Sequence, residues 1–317
     1  MRRGRRRAGA GGPARRRRRC PVRYLLNTEP GPLQGRVLAF AHRGADPTRE
    51  NTMGAFRRAV ALGYRYLEID VRTAACGTLV VFHDESLDRV TDGSGKLREK
   101  TWDELSRLRV GPAGRAGDAD ARLVRFEDLL TAWDDVHLNV DLKDAESVAE
   151  FVRIVEEHQA HDRVLVASFH DARRRRTVQR FTRPVASSAG WASTALFVFL
   201  GPLGLTRALA GRAADVDCLQ VPVKQGPVRV VTPGFLRRCH RAGLQVHVWV
   251  VDDPVEMHRL LDMGVDGLMT DDAEALAAVM RERSLWPQRG AETPEDAAED
   301  AEDAAEDAGE AGDVGGP

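Results

Sequence analysis

The sequence predicts an α/β protein: a TIM-type (β/α)8 barrel with a β-hairpin and a loop insertion at its C-terminal mouth, after the second strand. Short apolar runs recur along the chain and alternate with amphipathic helical patterns, which is typical of parallel strands covered by helices. Eight such runs, in a central segment close to the ~250 residues of an ordinary barrel, favour a closed barrel over an open sheet. The barrel is predicted to span residues 24–288.

The barrel strands follow from the apolar runs in chain order. They are predicted at Val37–Ala41, Tyr66–Thr73, Val136–Leu142, Val164–Ser168, Pro184–Ser187, Cys218–Val221, Gln245–Val250 and Gly267–Thr270. Helical patterns lie between most of them, at Thr52–Leu62, Ala145–His158, Ala172–Phe181, Pro233–Ala242, Pro254–Met263 and Ala273–Arg283. The GxGxxG motif of dinucleotide-binding folds is absent.

One apolar run, Thr78–His83, interrupts this alternation. It follows the second strand after only a few residues, too few for a crossover helix, so the two runs are predicted to form an antiparallel hairpin. A turn centred near Cys76-Gly77 would place His83 opposite Asp70. The segment 87–120, rich in Gly, Asp and Arg, is predicted to be an insertion over the barrel mouth.

The two ends of the chain have biased compositions. Residues 1–23 are rich in Arg and residues 289–317 in Asp, Glu and Ala, so the net charge of −1 is a cancellation. Neither end has enough apolar side chains to offset the entropy of ordering it, and both are predicted to be disordered. The cluster Arg15–Arg19 could bind nucleic acid or anionic lipid, or it could be a solvated tail; no nucleic-acid partner is expected.

The cysteines and the apolar stretches bear on location. The four cysteines form no CxxC pair, which argues against a zinc site or a disulfide framework and fits a reducing compartment. No signal peptide is recognisable, and the most apolar stretch, Trp191–Leu205, is too short to span a bilayer and is broken by Gly201-Pro202. A cytoplasmic protein without a transmembrane segment is predicted. The oligomeric state stays open.

Three carboxylates are predicted to meet at the barrel mouth. Glu68 and Asp70 alternate with Ile69, so both face the same side of the second strand. Asp141, near the end of the third strand, supplies a third group. Like charges in a partly buried site need a cation or proton, and an all-oxygen set suits Mg²⁺ or Ca²⁺ better than zinc.

Histidines and cations flank these carboxylates. His42 ends the first strand and His83 ends the hairpin, and together they suit an acid–base pair. Arg43 and Lys143 would supply positive charge to an anionic substrate, although either alone could be a structural ion-pair partner.

In order and spacing these residues resemble the glycerophosphodiester phosphodiesterase family over roughly residues 37–272. The motifs that carry the resemblance are His42-Arg43-Gly44, Arg49-Glu50-Asn51-Thr52, Glu68-Ile69-Asp70-Val71, His83-Asp84 with Leu87, Arg89, Thr91 and Gly93, Asn139–Lys143, Val248–Asp253 and Gly264–Asp271. The resemblance implies hydrolysis of glycerophosphodiesters, small-molecule substrates, to glycerol 3-phosphate and an alcohol. It also implies one divalent cation, Mg²⁺ or Ca²⁺.

The resemblance assigns roles position by position. It implies metal ligands at Glu68, Asp70 and Asp141, acid–base groups at His42 and His83, phosphate contacts at Arg43 and Lys143, and Trp249 on the glycerol side. Glu50 would lie in or just behind the groups that contact metal and substrate. The chain departs from the family pattern at Asp141 (usually Glu), Arg49 (usually Pro), Cys76 (usually Asp) and Val250 (usually Thr). Asp141 leaves the identity and affinity of the metal open.

Two alternatives remain at this stage. Trp191–Leu205 could be an apolar lid or interfacial helix that admits lysophospholipids at a membrane surface, or an ordinary outer helix whose apolar face packs on the strands. The barrel could also be a non-catalytic binding protein, although the complete set of metal and acid–base residues argues against that.

Overall fold

The structure is a computed structural model that describes residues 23–28, 33–111, 121–212 and 215–288. The predicted C-terminal tail, residues 1–22 of the predicted N-terminal tail and residues 112–120 of the insertion lie outside the described residues, as does Cys20.

The described residues form twelve strands. They are β1 (Leu38–His42), β2 (Tyr66–Thr73), β3 (Leu79–Val81), β4 (Val124–Arg125), β5 (His137–Leu142), β6 (Val164–Ala167), β7 (Ala186–Ser187), β8 (Cys218–Pro222), β9 (Lys224–Gln225), β10 (Val228–Arg229), β11 (Gln245–Trp249) and β12 (Gly267–Thr270). All eight predicted barrel strands are present within a residue or two of their expected bounds.

Eight of these strands form a parallel barrel. Their spatial order is β7-β6-β5-β2-β1-β12-β11-β8. A parallel bridge between Ser188 and Cys218 joins the two ends of this order, and Asp217 donates a backbone hydrogen bond to the Ser187 carbonyl at 2.9 Å. The predicted (β/α)8 barrel is therefore confirmed.

Helices cover the outside of the barrel. Those of the described residues are α1 (Met53–Ala61), α2 (Trp102–Leu105), α3 (Phe126–Thr131), α4 (Ser147–Glu157), α5 (Asp171–Val178), α6 (Trp191–Leu200), α7 (Thr206–Arg212), α8 (Pro233–Arg241), α9 (Pro254–Met263) and α10 (Ala273–Glu282). The six predicted barrel helices are all present, whereas α3 and α7 were not predicted. None of the described helices is long and apolar enough to cross a bilayer.

The hairpin after β2 is confirmed, but its predicted register is wrong by one residue. Val71 pairs with Val81, and the Phe82 backbone N–H donates to the Asp70 carbonyl at 2.8 Å, so Phe82 rather than His83 lies opposite Asp70. The turn holds three residues, 75–77, because Gly77 adopts the left-handed conformation (φ +87°) that closes a three-residue loop.

The insertion packs on this hairpin through a small apolar core of its own. Phe82, Leu87, Leu97, Leu105 and Leu123 are all buried there. The described part of the insertion is therefore anchored beside the ends of β1 and β2, at the mouth of the barrel.

Two apolar layers hold the barrel together. Outward-facing strand residues pack against the helices, while Leu38, Phe40, Tyr66, Leu165 and Met269 fill the interior. The interior is closed at the N-terminal end of the strands, where the Tyr66 hydroxyl donates to the Tyr24 carbonyl at 2.6 Å. The open end of the barrel is therefore the C-terminal one.

Candidate active site

A cavity of about 570 Å³ opens at the C-terminal ends of the strands. Of the predicted site residues, those that line it are His42, Arg43, Glu68, Asp70, His83, Asp141, Lys143 and Trp249. Glu50 is the exception; it lies behind Arg43, whose guanidinium Nη1 is 3.1 Å from Glu50 Oε1.

Strand register brings the carboxylates together. The Cα of Asp70 pairs with that of Asp141, and Glu68 pairs with His42 on one side and Asn139 on the other. Side chains alternate along a strand, so all these groups face the interior. Glu68, Asp70 and Asp141 are each less than a tenth exposed.

Two cations neutralise part of this buried charge. Lys143 Nζ lies 2.8 Å from Asp70 Oδ1 and 2.6 Å from Asp141 Oδ2, and Arg43 Nε lies 3.0 Å from Asp70 Oδ2. Burial alone would raise the pKa of Asp70, but Lys143 and Arg43 outweigh it and hold that pKa below its ordinary value. The same carboxylates raise the pKa of Lys143 against the effect of burial.

The other two carboxylates are less well neutralised. Burial raises the pKa of Glu68, and the negative charge of Asp70 adds to the effect. Burial also raises the pKa of Asp141, although Lys143 opposes it. Glu68 Oε2 and Asp141 Oδ1 have no hydrogen-bond partner among the described residues, so each has an unused acceptor in a buried place.

These oxygens are the donors that a hard divalent cation prefers. Among the described residues, however, no group of three or more His, Cys, Asp or Glu side chains converges into a complete ligand set. Lys143 lies between Asp70 and Asp141. The chemistry of the donors therefore fits a cation, and the predicted metal role of the three carboxylates stays a prediction.

His42 lies between two carboxylates, but only its Nδ1 is within hydrogen-bond distance of one of them. Nδ1 lies 2.6 Å from Asp271 Oδ1, and Nε2 lies 3.6 Å from Glu68 Oε2. Burial alone would lower the pKa of His42, but Glu68 and Asp271 together raise it above its ordinary value. Asp271 is itself positioned because its backbone N–H donates to Asp252 Oδ1 at 2.8 Å.

Asp271 was not among the predicted site residues. It lies just after β12, which pairs with β1 in the closed barrel, so it meets His42 from the neighbouring strand end. The sequence signal that could have identified Asp271 as a site residue is its position directly after a predicted strand, at the barrel mouth.

His83 has the same arrangement on the insertion side. Its Nδ1 lies 2.6 Å from Asp84 Oδ1, and Asp84 also binds Arg89. The hydrogen bonds from Arg89, which has the larger effect, and from His83 lower the pKa of Asp84 to about 2. Arg89 continues to Glu50, with Nη2 2.7 Å from Oε1, so Glu50 links the insertion to Arg43 in the cavity.

The turn after β1 adopts an uncommon backbone. Arg43 and Asn51 have φ values of +51° and +59°, and the Asn51 backbone N–H donates to the Arg43 carbonyl at 2.9 Å. A Cβ at Gly44 would lie 2.7 Å from the Ala55 Cβ, so glycine is required there. Strained backbone of this kind is concentrated at functional sites, and here it aims Arg43 at Asp70.

Two aromatic rings lie beside the charged side chains of the cavity. Lys143 Nζ lies 5.4 Å from the Phe169 ring centre, and Phe169 and Trp249 have ring centroids 6.4 Å apart. Phe169 was not predicted for the site, although it follows β6 at the C-terminal end of the barrel.

Comparison with known proteins gives a family match. The model of the glycerophosphoryl diester phosphodiesterase family matches residues 42–275. The chain is 42% identical over 255 residues to the probable glycerophosphodiester phosphodiesterase 2 of Mycobacterium tuberculosis, covering 80% of this chain and 94% of that protein. It is 27% identical over 256 residues to a glycerophosphodiester phosphodiesterase of Caldanaerobacter subterraneus, covering 78% of this chain and 99% of that one.

Solved structures show the same fold. A phosphodiesterase of Oleispira antarctica, determined in complex with the product sn-glycerol-3-phosphate, has a TM-score of 0.63 and 21% identity. The match covers 77% of this chain and 96% of that chain. A glycerophosphodiester phosphodiesterase of Agrobacterium tumefaciens has a TM-score of 0.63 at 24% identity, over 77% of this chain and 99% of that one.

Proposed function

The chain belongs to the glycerophosphoryl diester phosphodiesterase family, and from that membership we propose that it hydrolyses glycerophosphodiesters to glycerol 3-phosphate and an alcohol. One observation carries the proposal: two imidazoles, each held at Nδ1 by an aspartate, line one cavity with Arg43 and Lys143. The product complex of the Oleispira relative supports the choice of substrate class.

His42 and His83 are proposed to move the protons. One imidazole removes the proton from the nucleophile, either water or the glycerol 2-hydroxyl of the substrate, and the other protonates the alcohol that leaves. Because each Nδ1 lies within hydrogen-bond distance of an aspartate, each ring is left to act through Nε2. A positioned group of this kind is worth roughly 10²–10⁴-fold in rate.

Arg43 and Lys143 are proposed to bind the phosphate. Both cations are partly buried among carboxylates, which keeps them charged and fixes their position before substrate arrives. An anion bound between them would meet preorganised positive charge, which stabilises the transition state more than mobile water does.

Glu68, Asp70 and Asp141 are proposed to hold one divalent cation, Mg²⁺ or Ca²⁺. The unpartnered oxygens of Glu68 and Asp141 support this assignment, as does the absence of soft ligands from the set. When bound, the cation would neutralise charge on the phosphate oxygens. Trp249 is proposed to line the glycerol side of the substrate.

The test is release of glycerol 3-phosphate from glycerophosphocholine by the full chain. Activity should disappear in EDTA and return with added Mg²⁺ or Ca²⁺. His42→Ala and His83→Ala should each reduce kcat by roughly 10²–10⁴-fold while the circular-dichroism spectrum stays unchanged. His158→Ala is the matched control, because His158 also contacts a carboxylate, Glu127, but on the outside of the barrel.

Several outcomes would contradict parts of the proposal. Absence of glycerol 3-phosphate under all metal conditions would favour the non-catalytic barrel. Full activity in EDTA would contradict the proposed metal dependence. Near-normal activity of either histidine variant would contradict the acid–base role proposed for that histidine. A cytoplasmic location and action on small-molecule substrates without a nucleic-acid partner remain our expectation.

A further inference from the structure

One arginine of the insertion joins two carboxylates that lie behind the cavity. Arg89 Nε and Nη2 lie 2.5 and 3.1 Å from the carboxylate oxygens of Asp84, and Nη1 and Nη2 lie 2.9 and 2.7 Å from those of Glu50. All three guanidinium nitrogens are therefore engaged, and each carboxylate is held by the paired hydrogen bonds that arginine can form. We call Asp84, Arg89 and Glu50 the arginine bridge.

Each end of the arginine bridge contacts a residue that lines the cavity. Asp84 Oδ1 lies 2.6 Å from Nδ1 of His83. At the other end, Glu50 Oε1 lies 3.1 Å from Nη1 of Arg43. The same Glu50 oxygen accepts a hydrogen bond from Arg89, so one carboxylate lies between the two arginines. A continuous chain of charged contacts therefore runs from His83 to Arg43.

The two residues that the bridge joins belong to different parts of the fold. Arg43 follows β1, whereas His83 follows β3, just before the insertion. The backbone around Arg89 is anchored in the apolar core of the insertion, because Leu87 is fully buried. The Leu87 carbonyl also accepts hydrogen bonds from the backbone N–H and the hydroxyl of Thr91, at 3.1 and 2.8 Å. The bridge is therefore a polar contact between an anchored loop and the turn after β1.

The stability of the fold gives little reason for this arrangement. The Arg89 side chain is 49% exposed, and ion pairs of exposed side chains contribute little to the free energy of unfolding because water screens them. Glu50 and Arg43, by contrast, are only 11% and 18% exposed, so their charges act on each other and on a bound anion with less screening. Without Arg89, the charge of Glu50 would be left uncompensated beside the proposed phosphate site.

We propose that Arg89 is a positioning residue that sets the imidazole of His83 and the guanidinium of Arg43 relative to one another. The inference rests on the proposed function, in which the imidazole moves a proton and the guanidinium binds the phosphate. Arg89 is not part of the cavity lining and acts through the two carboxylates of the bridge. Its paired hydrogen bonds fix Asp84 behind His83, and its charge offsets that of Glu50 beside Arg43.

The first test is Arg89→Gln, which removes both the charge and the paired hydrogen bonds. We expect kcat for glycerophosphocholine to fall by about 10–100-fold, because a reacting group displaced by about 1 Å can cost about 100-fold in rate. Binding of sn-glycerol 3-phosphate should weaken by about fivefold, because the charge of Glu50 is no longer offset. Isothermal titration calorimetry measures the Kd of this product without any reaction, so the two readouts report on the two ends of the bridge separately.

Arg153→Gln is the matched control for this variant. The Arg153 side chain is 47% exposed and also joins carboxylates, those of Glu127, Glu150 and Glu157, on the outside of the barrel. It should change neither kcat nor the Kd of the product. An equal loss in Arg153→Gln and Arg89→Gln would mean that the effect comes from the general stability of the fold, and it would overturn the proposal.

Arg89→Lys separates geometry from charge. One ammonium keeps the positive charge beside Glu50 but cannot form paired hydrogen bonds with both carboxylates. The Kd of the product should therefore stay within about twofold of that of the unmodified chain, whereas kcat should remain reduced by at least about fivefold. A lysine variant with full kcat would show that charge alone suffices, which overturns the positioning role. If Arg89→Gln does not fold, the kcat of Arg89→Lys decides by the same criterion.

A double variant tests whether Arg89 acts on His83 through Asp84. Replacements of two residues that act through the same contact do not add. The kcat of Asp84→Asn with Arg89→Gln should therefore lie within about twofold of the kcat of Asp84→Asn alone. If the two losses multiply instead, Arg89 acts by another route, and that result contradicts the proposal.

The outcomes separate this inference from the proposed function. If the unmodified chain is active, an unchanged kcat in Arg89→Gln overturns the link to His83, and an unchanged Kd of the product overturns the link to Arg43. Either result contradicts the inference and leaves the proposed function standing. If the unmodified chain releases no glycerol 3-phosphate, the proposed function fails. A weaker product Kd in Arg89→Gln would then still support the link to Arg43, and an equal Kd, or no product binding by either protein, would overturn it.

Discussion

Asp271 is the residue on which the proposed role of His42 depends most directly. The pKa of His42 is raised by Glu68 and Asp271. An amide at position 271 keeps the size of the side chain but loses one of these two charges, so that pKa should fall in Asp271→Asn. We expect kcat to drop by at least roughly tenfold, as when the aspartate behind a catalytic histidine is replaced. The measurement is the pH profile of kcat/KM, in which the titration assigned to His42 should move to lower pH.

The matched control for this variant is Glu127→Gln. It removes a carboxylate from the same type of contact, at 2.8 Å from His158 Nε2, on the surface of the barrel. It should change neither kcat nor the profile. An Asp271→Asn enzyme with an unchanged rate and profile would show that His42 works without its aspartate.

Asp141 offers a second test at the scale of one side chain. Its Oδ1 is unpartnered and its Oδ2 contacts Lys143, so the longer side chain in Asp141→Glu should bring an oxygen further into the cavity. We expect half-maximal activity at a several-fold lower Mg²⁺ or Ca²⁺ concentration, and at a higher one in Asp141→Asn. Equal metal dependence in all three proteins would mean that Asp141 is not a ligand.

The sequence was sufficient to identify most of the site residues but not their contacts. Alternation along β2 already indicated that Glu68 and Asp70 face one way, and a closed barrel places Asp141 beside them. The insertion of Lys143 between Asp70 and Asp141 was not predictable, because it depends on the path of a long side chain and not on strand register. Asp271 was missed because its partner is 229 positions away in the chain.

At the scale of elements, the contact between Asp171 and α6 can be tested by itself. Asp171→Ala would leave the backbone N–H groups of Gly190 and Ser193 without an acceptor and would weaken the neutralisation of Arg174. We expect the free energy of unfolding to fall by about 2 kcal/mol. Urea denaturation measures it.

Asp253→Ala is the control for this element. Asp253 begins α9 with one side-chain hydrogen bond to a backbone N–H, that of Val255 at 3.0 Å, so its loss should cost about 1 kcal/mol or less. If the two variants lose equal stability, the start of α6 is an ordinary helix cap and its attachment to Arg174 adds nothing.

The long, periodic elements were predicted well and the short ones poorly. Helices such as α9 (Pro254–Met263) combine a capping residue, a proline in the first turn and a terminal glycine, all of which are local signals. Helix α7 has no comparable local signals. The surroundings of α6 depend on how the folded elements pack and not on the order of apolar and polar residues in its sequence. The hairpin register was wrong by one residue because a three-residue turn and a shorter one cannot be distinguished from Cys76-Gly77 alone.

For the whole molecule, closure of the barrel is the feature that sequence predicts least directly. Eight apolar strands indicate a barrel, but the last strand pair meets through a single bridge at Ser188 and Cys218, which no local pattern specifies. The pairing of β12 with β1 brings Asp271 to His42, and the closed barrel places Trp249 in the same cavity as Asp141. The site is therefore a property of the assembled barrel and of no smaller part.

Two of the buried histidines, His137 on β5 and His247 on β11, give a prediction for the stability of the whole molecule. Burial lowers the pKa of His137 to about 4 and that of His247 to about 3. In the unfolded chain both would titrate near 6.5. Below that pH the unfolded state binds protons at these two histidines and the folded state does not. Their contribution to the free energy of unfolding is therefore fully present above pH 6.5 and is lost as the pH falls.

As the pH falls, two such groups should lower the free energy of unfolding by up to about 2.7 kcal/mol per pH unit between roughly pH 6 and pH 4.5.

Two variants test this expectation. His247→Gln keeps a donor for the Gln245 amide oxygen, and His137→Asn keeps one for the Asp135 carbonyl, so each removes a titration with little change in hydrogen bonding. Each should reduce the slope by about 1.4 kcal/mol per pH unit relative to the unmodified protein. Urea unfolding at pH 7, 6 and 5 measures these slopes, and the carboxylates common to all three proteins cancel in the comparison. Equal slopes in all three proteins would mean that the folded barrel takes up protons at His137 and His247 as readily as the unfolded chain does.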